Sequence, residues 1–306
     1  MRILPVEVCP ACGGPHSSEF SLGARPLRRC DLCGLVHAAE MADPAEVYVD
    51  GYMTGGSDVG FGPPDTTHPV IFRFVVFAGH RRLAAMRRLM GSSELGPLLD
   101  VGCGTGELLV AAKEEGVEAL GVEPVEESVR IACERGVDAR AAMLEDSGLP
   151  EASFATVTSF HVLEHMADGP SFLRLLARWA RPGGHVVVEV PNWRSVSRKR
   201  AGDSWGHLRP LEHVAHYEPA TLAATMRRVG LVDVRLRTLT FLFPEQTVAE
   251  AFADVAWSGL EWRVPGFLRT GDRPGRLLSA TLHATSAVYD RAKLGQVVLA
   301  VGRRAV

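Results

Sequence analysis

The segment that most constrains the fold is Leu98-Leu99-Asp100-Val101-Gly102-Cys103-Gly104-Thr105-Gly106-Glu107-Leu108-Leu109. An apolar run of strand length ends on an acid, crosses three alternating glycines and enters a helical pattern. Glycine lets the backbone come close to a ligand. A strand–loop–helix at the head of a βαβ unit is the setting such a loop needs. A second apolar run, from Ala119, ends in Glu123-Pro124, with Glu123 seventeen residues after Gly106. A carboxylate there can take a pair of ribose hydroxyls. The dinucleotide fingerprint Gly-x-Gly-x-x-Gly is not met. Asp100 at the strand end would repel a pyrophosphate and suits an ammonium group instead.

The rest of the chain repeats this alternation. Apolar residues at Ile71, Phe74, Val75, Ala78, Leu83, Met86 and Leu89, with arginines between, predict an amphipathic helix from Pro69 to Met90. Strands are expected at Leu98–Val101, Ala119–Val122, Val137–Ala141, Phe154–Phe160, His185–Val190, Val232–Thr240 and Gln296–Gly302. Helices are expected at Glu107–Glu115, Val125–Arg135, Pro170–Ala180 and Pro219–Val229. Two more helices, Thr247–Arg263 and Arg276–Lys293, are inserted before the last strand. Near-continuous apolar strands alternating with helices predict an α/β fold with a doubly wound, mostly parallel sheet of seven strands. Residues 41–69 are rich in Gly, Pro and Asp and read as a linker or active-site flap anchored by Tyr48, Tyr52 and Phe61.

Before this unit lie two matching knuckles, Cys9-Pro10-Ala11-Cys12-Gly13 and Cys30-Asp31-Leu32-Cys33-Gly34, with seventeen residues between Cys12 and Cys30. A Cys-x-x-Cys turn aims two thiolates at one metal, and two such turns complete a tetrahedron. Residues 1–40 therefore read as a zinc ribbon with Cys9, Cys12, Cys30 and Cys33 as ligands. Four thiolates leave no open position, so the metal is structural, stapling a module too small to fold on its own core. The module is expected to pack over the acceptor side of the larger domain.

The glycine-loop segment resembles motif I of the class I S-adenosylmethionine-dependent methyltransferases, and Glu123 matches their ribose-binding acid. Ala142-Met143-Leu144-Glu145-Asp146 resembles the turn that flanks adenine. Ser153 to His165 resembles the fourth strand and its turn, and Arg181-Pro182-Gly183-Gly184 the turn before the fifth strand. Ala155 departs from the pattern, where relatives usually carry Asp. The resemblance covers residues 70–240, is of the type 11/12 kind, and implies a Rossmann-like methyltransferase fold. It implies S-adenosylmethionine as methyl donor, bound by Asp100, Gly102, Cys103, Gly104, Gly106, Glu123, Pro124, Leu144, Glu145, Phe160 and His161. Similar zinc modules precede bacterial methyltransferases of sugar and natural-product pathways.

In such a sheet, ligands bind beyond the carboxyl ends of the strands. Two segments there, His161–His165 and Pro191–Tyr217, hold five of the eleven histidines. Histidine titrates near neutrality and can take a proton from an acceptor. His213 and His207, then His161, are the candidate bases; the plainer role for each is to order the loop or to cap the helix near Glu218. His161-x-x-Glu164-His165 resembles a Glu-x-x-Glu-His motif of relatives that bind a divalent ion. His161 in place of the first Glu suits Mg²⁺ poorly. The run Arg194, Arg198, Lys199 and Arg200 could hold a phosphate, though a solvated loop is the plainer reading. Phe241, Phe243, Phe252, Trp257, Trp262 and Phe267 would roof the acceptor, form a homodimer or pack as an ordinary helical core.

The expected activity is methyl transfer to oxygen or carbon of a small natural-product or sugar-like acceptor. An RNA methyltransferase is the rival enzyme, and a non-catalytic cofactor-binding protein the rival of another class. Net charge is −3, with no global pull toward nucleic acid or anionic lipid. No apolar run is long enough to span a bilayer and the first ten residues lack a signal-peptide core. A cytoplasmic location is expected.

Overall fold

The computed structural model describes residues 1–23, 25–53, 69–209, 211–241 and 286–306. In chain order the strands and helices are β1 (Ile3–Pro5), β2 (His16–Leu22), β3 (Arg25–Cys30), β4 (Val36–Ala38), β5 (Glu40–Ala42), α1 (Pro44–Val47) and α2 (Pro69–Met90). There follow β6 (Leu98–Val101), α3 (Glu107–Glu114), β7 (Ala119–Glu123), α4 (Glu126–Glu134), β8 (Ala139–Ala141), β9 (Phe154–Phe160), α5 (Gly169–Trp179) and β10 (Ala180–Pro191). The chain closes with α6 (Val196–Ala201), β11 (Ala215–His216), α7 (Pro219–Arg228), β12 (Leu231–Leu239) and β13 (Val297–Arg304).

The main sheet has seven strands in the order β12-β13-β10-β9-β6-β7-β8. From β10 to β8 every neighbouring pair is parallel. Only β13 runs against its neighbours, β10 and β12. The fold is thus Rossmann-like, as the alternation predicted. After β8 the chain returns past β6 to form β9, so β6 and β9 flank the switch point where the loops at their carboxyl ends diverge.

The sheet is buried on both faces, and the period of two along β10 shows how. Val186, Val188 and Val190 pack with Leu173, Leu176 and Leu222 under α5 and α7. Val187 faces the other way, with Leu83, Met86 and Leu108 of α2 and α3. A Cβ on Gly79 would sit 2.9 Å from the Ala111 side chain, so glycine allows α2 to approach α3 this closely.

Two differences from expectation have local causes. β10 starts at Ala180 rather than His185, because the Arg181–Gly184 turn enters the strand as an irregularity in its register with β9. The Cys-containing sheet is not confined to residues 1–40. Its order is β11-β4-β3-β2, and β11 comes from the loop after β10. The expected helices Thr247–Arg263 and Arg276–Lys293 lie outside the described residues, apart from 286–291, which are helical. Phe61, Phe243, Phe252, Trp257, Trp262 and Phe267 also lie outside them. Phe241 is described, with the Arg81 and Arg82 guanidiniums over its ring.

Candidate active site

Two groups of residues meet at the carboxyl ends of β6, β7, β9 and β10. The first surrounds the glycine loop. Asp100 is buried at the end of β6, and its Oδ1 accepts a 2.6 Å hydrogen bond from the Thr158 hydroxyl on β9. Burial raises its carboxyl to about 7, against the pull of that bond. Glu123, buried at the tip of β7, accepts from the Gly104 and Val125 amides, each at 3.1 Å. Burial raises its value too, opposed by those two bonds.

Gly102, Gly104 and Gly106 have φ of 74°, 53° and 86°, the left-handed region that favours glycine. A Cβ on Gly102 would lie 2.5 Å from Val162, and one on Gly104 would lie 2.9 Å from Met53. Cys103 is different: its side chain is buried with Leu109 and Ala132. Only its backbone can face a ligand. Leu144 is buried in a 3₁₀ turn, Glu145 and Pro124 are exposed, and Phe160 is half-buried.

The second group is a bed of histidines and acids. His161 has φ of 56°, rare for a residue with a side chain, and begins the turn after β9. Its Nδ1 lies 3.2 Å from Glu164 Oε1 and its Nε2 lies 3.2 Å from Glu189 Oε1. Arg82 of α2 also donates to Glu189 Oε1, from Nε at 3.0 Å and Nη2 at 2.5 Å. Carboxylates accept, so both ring nitrogens of His161 donate. Burial alone would lower His161, but its bonds to Glu164 and Glu189 outweigh it and lift the value to about 9. Burial likewise opposes ionisation of Glu189, yet Arg82 and His161 hold it down at about 2. The result is a charged chain, Arg82–Glu189–His161–Glu164, within the protein.

In the other histidines of the bed, burial favours the neutral ring. His207 stacks on His161 with centroids 5.9 Å apart, and on His213 at 6.1 Å; His213 meets His165 edge-on at 4.6 Å. Burial lowers His207 to about 4, and lowers His165 and His213 as well. The tautomers follow from the partners. His213 Nδ1 lies 2.8 Å from the His207 carbonyl, and His165 Nδ1 lies 3.1 Å from the Glu212 carbonyl. A carbonyl can only accept, so each Nδ1 carries the proton and each Nε2 keeps a lone pair. Glu164, His165 and His213 form a close trio, their ligand-type atoms within 4.8 Å of one another, and Glu164 Oε2 is buried without a partner. His161, expected with Glu164 and His165 around an ion, is spent instead on two carboxylates.

Residues 48–53 cross between the two groups. The Gly51 amide donates to Glu127 at 2.6 Å on the donor side. The Tyr52 hydroxyl donates to Glu212 Oε2 at 3.3 Å, and Tyr48 sets an edge against His165. In the basic run, Arg198 lies 3.9 Å over the Trp193 ring, while Arg194, Lys199 and Arg200 are exposed. Sequence reasoning missed Glu189 and Arg82. The signal for Glu189 was an acid inside an otherwise apolar buried strand; Arg82 resembled its surface neighbours on α2.

The four cysteines are grouped as their spacing predicted. Cys9 and Cys33 Sγ lie 3.5 Å apart, as do Cys12 and Cys30, and all four thiols are free. A tetrahedral zinc with bonds near 2.3 Å would space its sulfurs by about 3.8 Å, so the set fits that ion.

A family described as "Methyltransferase domain" matches residues 76–236. The ubiquinone biosynthesis O-methyltransferase of Bordetella avium is 32% identical over 174 residues, spanning 52% of this chain and 72% of that protein. The 2-methyl-6-phytyl-1,4-hydroquinone methyltransferase of Synechocystis is 29% identical over 209 residues, spanning 62% of this chain and 63% of that protein. A crystal structure of a SAM-dependent methyltransferase from Archaeoglobus fulgidus aligns with 20% identity and a TM-score of 0.47, over 74% of this chain and 94% of that one.

Proposed function

This chain belongs to the class I S-adenosylmethionine-dependent methyltransferases, and from that premise we propose that it methylates a small, polar, natural-product or sugar-like acceptor at oxygen or carbon. Oxygen is favoured, since the Bordetella relative is named as an O-methyltransferase. The observation that carries the reading is the bed of histidines held neutral by burial, in which the His213 Nδ1–H is bonded to the His207 carbonyl and the lone pair is left on Nε2.

The donor residues fit their ligand. Glu123 presents a buried carboxylate at the end of β7, where it would hold the two ribose hydroxyls. Gly102 and Gly104 let Val162 and Met53 pack against the loop where a Cβ would clash. Asp100 would face the ammonium group, and Leu144 and Glu145 would flank adenine. When bound, S-adenosylmethionine supplies a methyl group already activated on a sulfonium sulfur. The chain's task is then alignment and exclusion of water. His213 accepts the acceptor's proton at Nε2, with its Nδ1–H anchored on the His207 carbonyl. His207 packs beside it as a neutral ring. His161 is charged, with both N–H groups directed at Glu164 and Glu189, and so orders the bed rather than serving as a base.

The cysteine set is assigned to structural zinc. Of the expected flap, 54–68 lie outside the described residues, and Tyr48 and Tyr52 lie against the acceptor bed. A second reading of that bed is favoured by the trio Glu164, His165 and His213, whose ligand-type atoms lie within 4.8 Å of one another, with Glu164 Oε2 buried and without a hydrogen-bond partner. A divalent cation there would acidify an acceptor hydroxyl in place of a base. Metal analysis separates the two: one zinc per chain supports His213 as base, and a second metal lost in His165→Ala supports the cation.

The test of function is transfer of label from methyl-labelled S-adenosylmethionine into an extract of the source cells, fractionated into small molecules, RNA and protein. Label in the small-molecule fraction, lost with Glu123→Ala, is expected. Label in RNA instead would sink the proposal, and absence of label despite cofactor binding would favour a binding protein.

A further inference from the structure

The cysteine centre and the histidine bed share a strand. β4 starts two residues after the second knuckle and pairs with β11, in the register Ala215↔His37 and His216↔Val36. The knuckle is itself the turn between β3 and β4, closed by Cys30 N–H to the Leu35 carbonyl at 2.9 Å and Gly34 N–H to the Cys30 carbonyl at 2.8 Å. Beyond β11 the contact continues backward along the acceptor loop. The Ala38 amide donates to the Val214 carbonyl at 2.8 Å, and the Ala42 amide to the Leu211 carbonyl at 2.9 Å. These bonds grip the loop on both sides of Glu212 and His213.

The first knuckle reaches the residue that follows β11 by way of the start of α5. The Gly169 amide donates to the Pro10 carbonyl at 2.9 Å. A Cβ on Gly169 would lie 2.5 Å from the Tyr217 hydroxyl and 3.1 Å from the Pro10 carbonyl. Tyr217, fully buried and next to β11, is thus wedged against the knuckle. Side chains complete the link: Leu27 and Val36 pack with Trp193, Trp205 and Leu208, and Trp205 sets an edge 5.4 Å from His207. The donor loop rests on β6, β7 and β9 and takes no strand from this sheet.

We propose that the four-cysteine centre is a positioning element for acceptor catalysis: with metal bound, it aligns the His207–His213 bed through the shared strand β11. This rests on the zinc assignment above. A staple that merely keeps the protein folded would affect donor binding and acceptor chemistry together. A positioning element separates them. A small displacement of a catalytic group costs about a hundredfold in rate, while the donor site stays intact.

The experiment uses the full chain in three forms: zinc-loaded, chelator-stripped, and Ala38→Pro. The last removes the amide that holds Val214 and leaves every cysteine in place. Metal content is measured first; a purified chain that neither holds nor takes up zinc would fail the zinc assignment itself. S-adenosylhomocysteine affinity by calorimetry, tryptophan fluorescence, and the ring-nitrogen NMR signals of His207 and His213 are then compared. The stripped and Ala38→Pro forms are expected to keep S-adenosylhomocysteine affinity within about threefold and to lose the fixed His213 tautomer. Label transfer to the cell extract should fall about a hundredfold in both, with Ala38→Pro still holding one zinc. Unchanged histidine signals and transfer in either form would overturn the proposal. So would a parallel loss of S-adenosylhomocysteine binding, which is the behaviour of a staple.

Discussion

Glu189 has no exposed surface and sits in a strand otherwise made of valine and proline around it. Its charge is held by Arg82 and His161, which keep its value near 2 in the folded protein against an ordinary value of 4.5. Its pairing therefore stabilises the fold at every pH above about 4.5, by on the order of 3 kcal/mol. That contribution is lost as pH falls from 4.5 toward 2. Glu189→Gln is expected to lower stability in urea by roughly 3 kcal/mol at pH 7, and by about 1 kcal/mol less at pH 3.5. A difference independent of pH would mean that Glu189 is not held as an ion. Histidine chemistry is separable from this. His213→Ala should leave S-adenosylhomocysteine affinity nearly unchanged and reduce methyl transfer about 10²–10⁴-fold, the range for loss of a general base. Equal loss in both measurements would place His213 in donor binding instead.

Residues 48–53 form the element that touches both halves of the site, through hydrogen bonds of Gly51 and Tyr52 and through packing of Tyr48, Tyr52 and Met53 with Ala42, Val47 and Leu211. Tyr52→Phe removes one hydrogen bond to a carboxylate, long at 3.3 Å, so about 1 kcal/mol is at stake. Amide exchange across 48–53 should speed up several-fold while exchange in β6 and β9 does not change; unchanged exchange at Gly51 would show that the Tyr52 hydroxyl does not hold the segment. This segment also shows where sequence reading stops. The strands of the main sheet and α2, α3, α4, α5 and α7 were legible because burial on two faces or one leaves a period that survives in the residues, as in Val186, Val187 and Val188. β11 is two residues long and carries no period, so a strand joining the ribbon to the acceptor loop could not be read. The glycine loop, Asp100 and Glu123 were legible because backbone geometry and charge demand those residue types. The histidines were legible as a group, but not their roles. What separates charged His161 from neutral His213 is which of them lies between two carboxylates, and that is set by contacts between β9, β10 and α2.

At the scale of the whole molecule the question is whether the cysteine-bearing segment is a module or part of one core. Cys9, Ala11, Cys30 and Leu35 belong to the same buried cluster as Leu163, Leu173 and Leu222. Leu27 and Val36 pack on Trp193 and Trp205, and Val6 and Met41 on Val214. Removing these partners would uncover apolar surface on the sheet side and leave β11 as a bare edge. At about 1.5–3 kcal/mol for each fully buried aliphatic side chain, the loss approaches the 5–15 kcal/mol that stabilise a typical domain. A chain beginning at Asp43 is therefore expected to be aggregated or to bind a hydrophobic dye such as ANS, rather than to form a compact methyltransferase domain. The acceptor loop should be the first part to lose order, because it loses its neighbouring strand and its buried tryptophan contacts at once. Circular dichroism, dye binding and S-adenosylhomocysteine calorimetry on the truncated chain decide this. A monomeric, dye-silent protein that binds S-adenosylhomocysteine as the full chain does would show that the methyltransferase sheet closes its own core. The shared strand would then be a docking contact rather than a part of the fold.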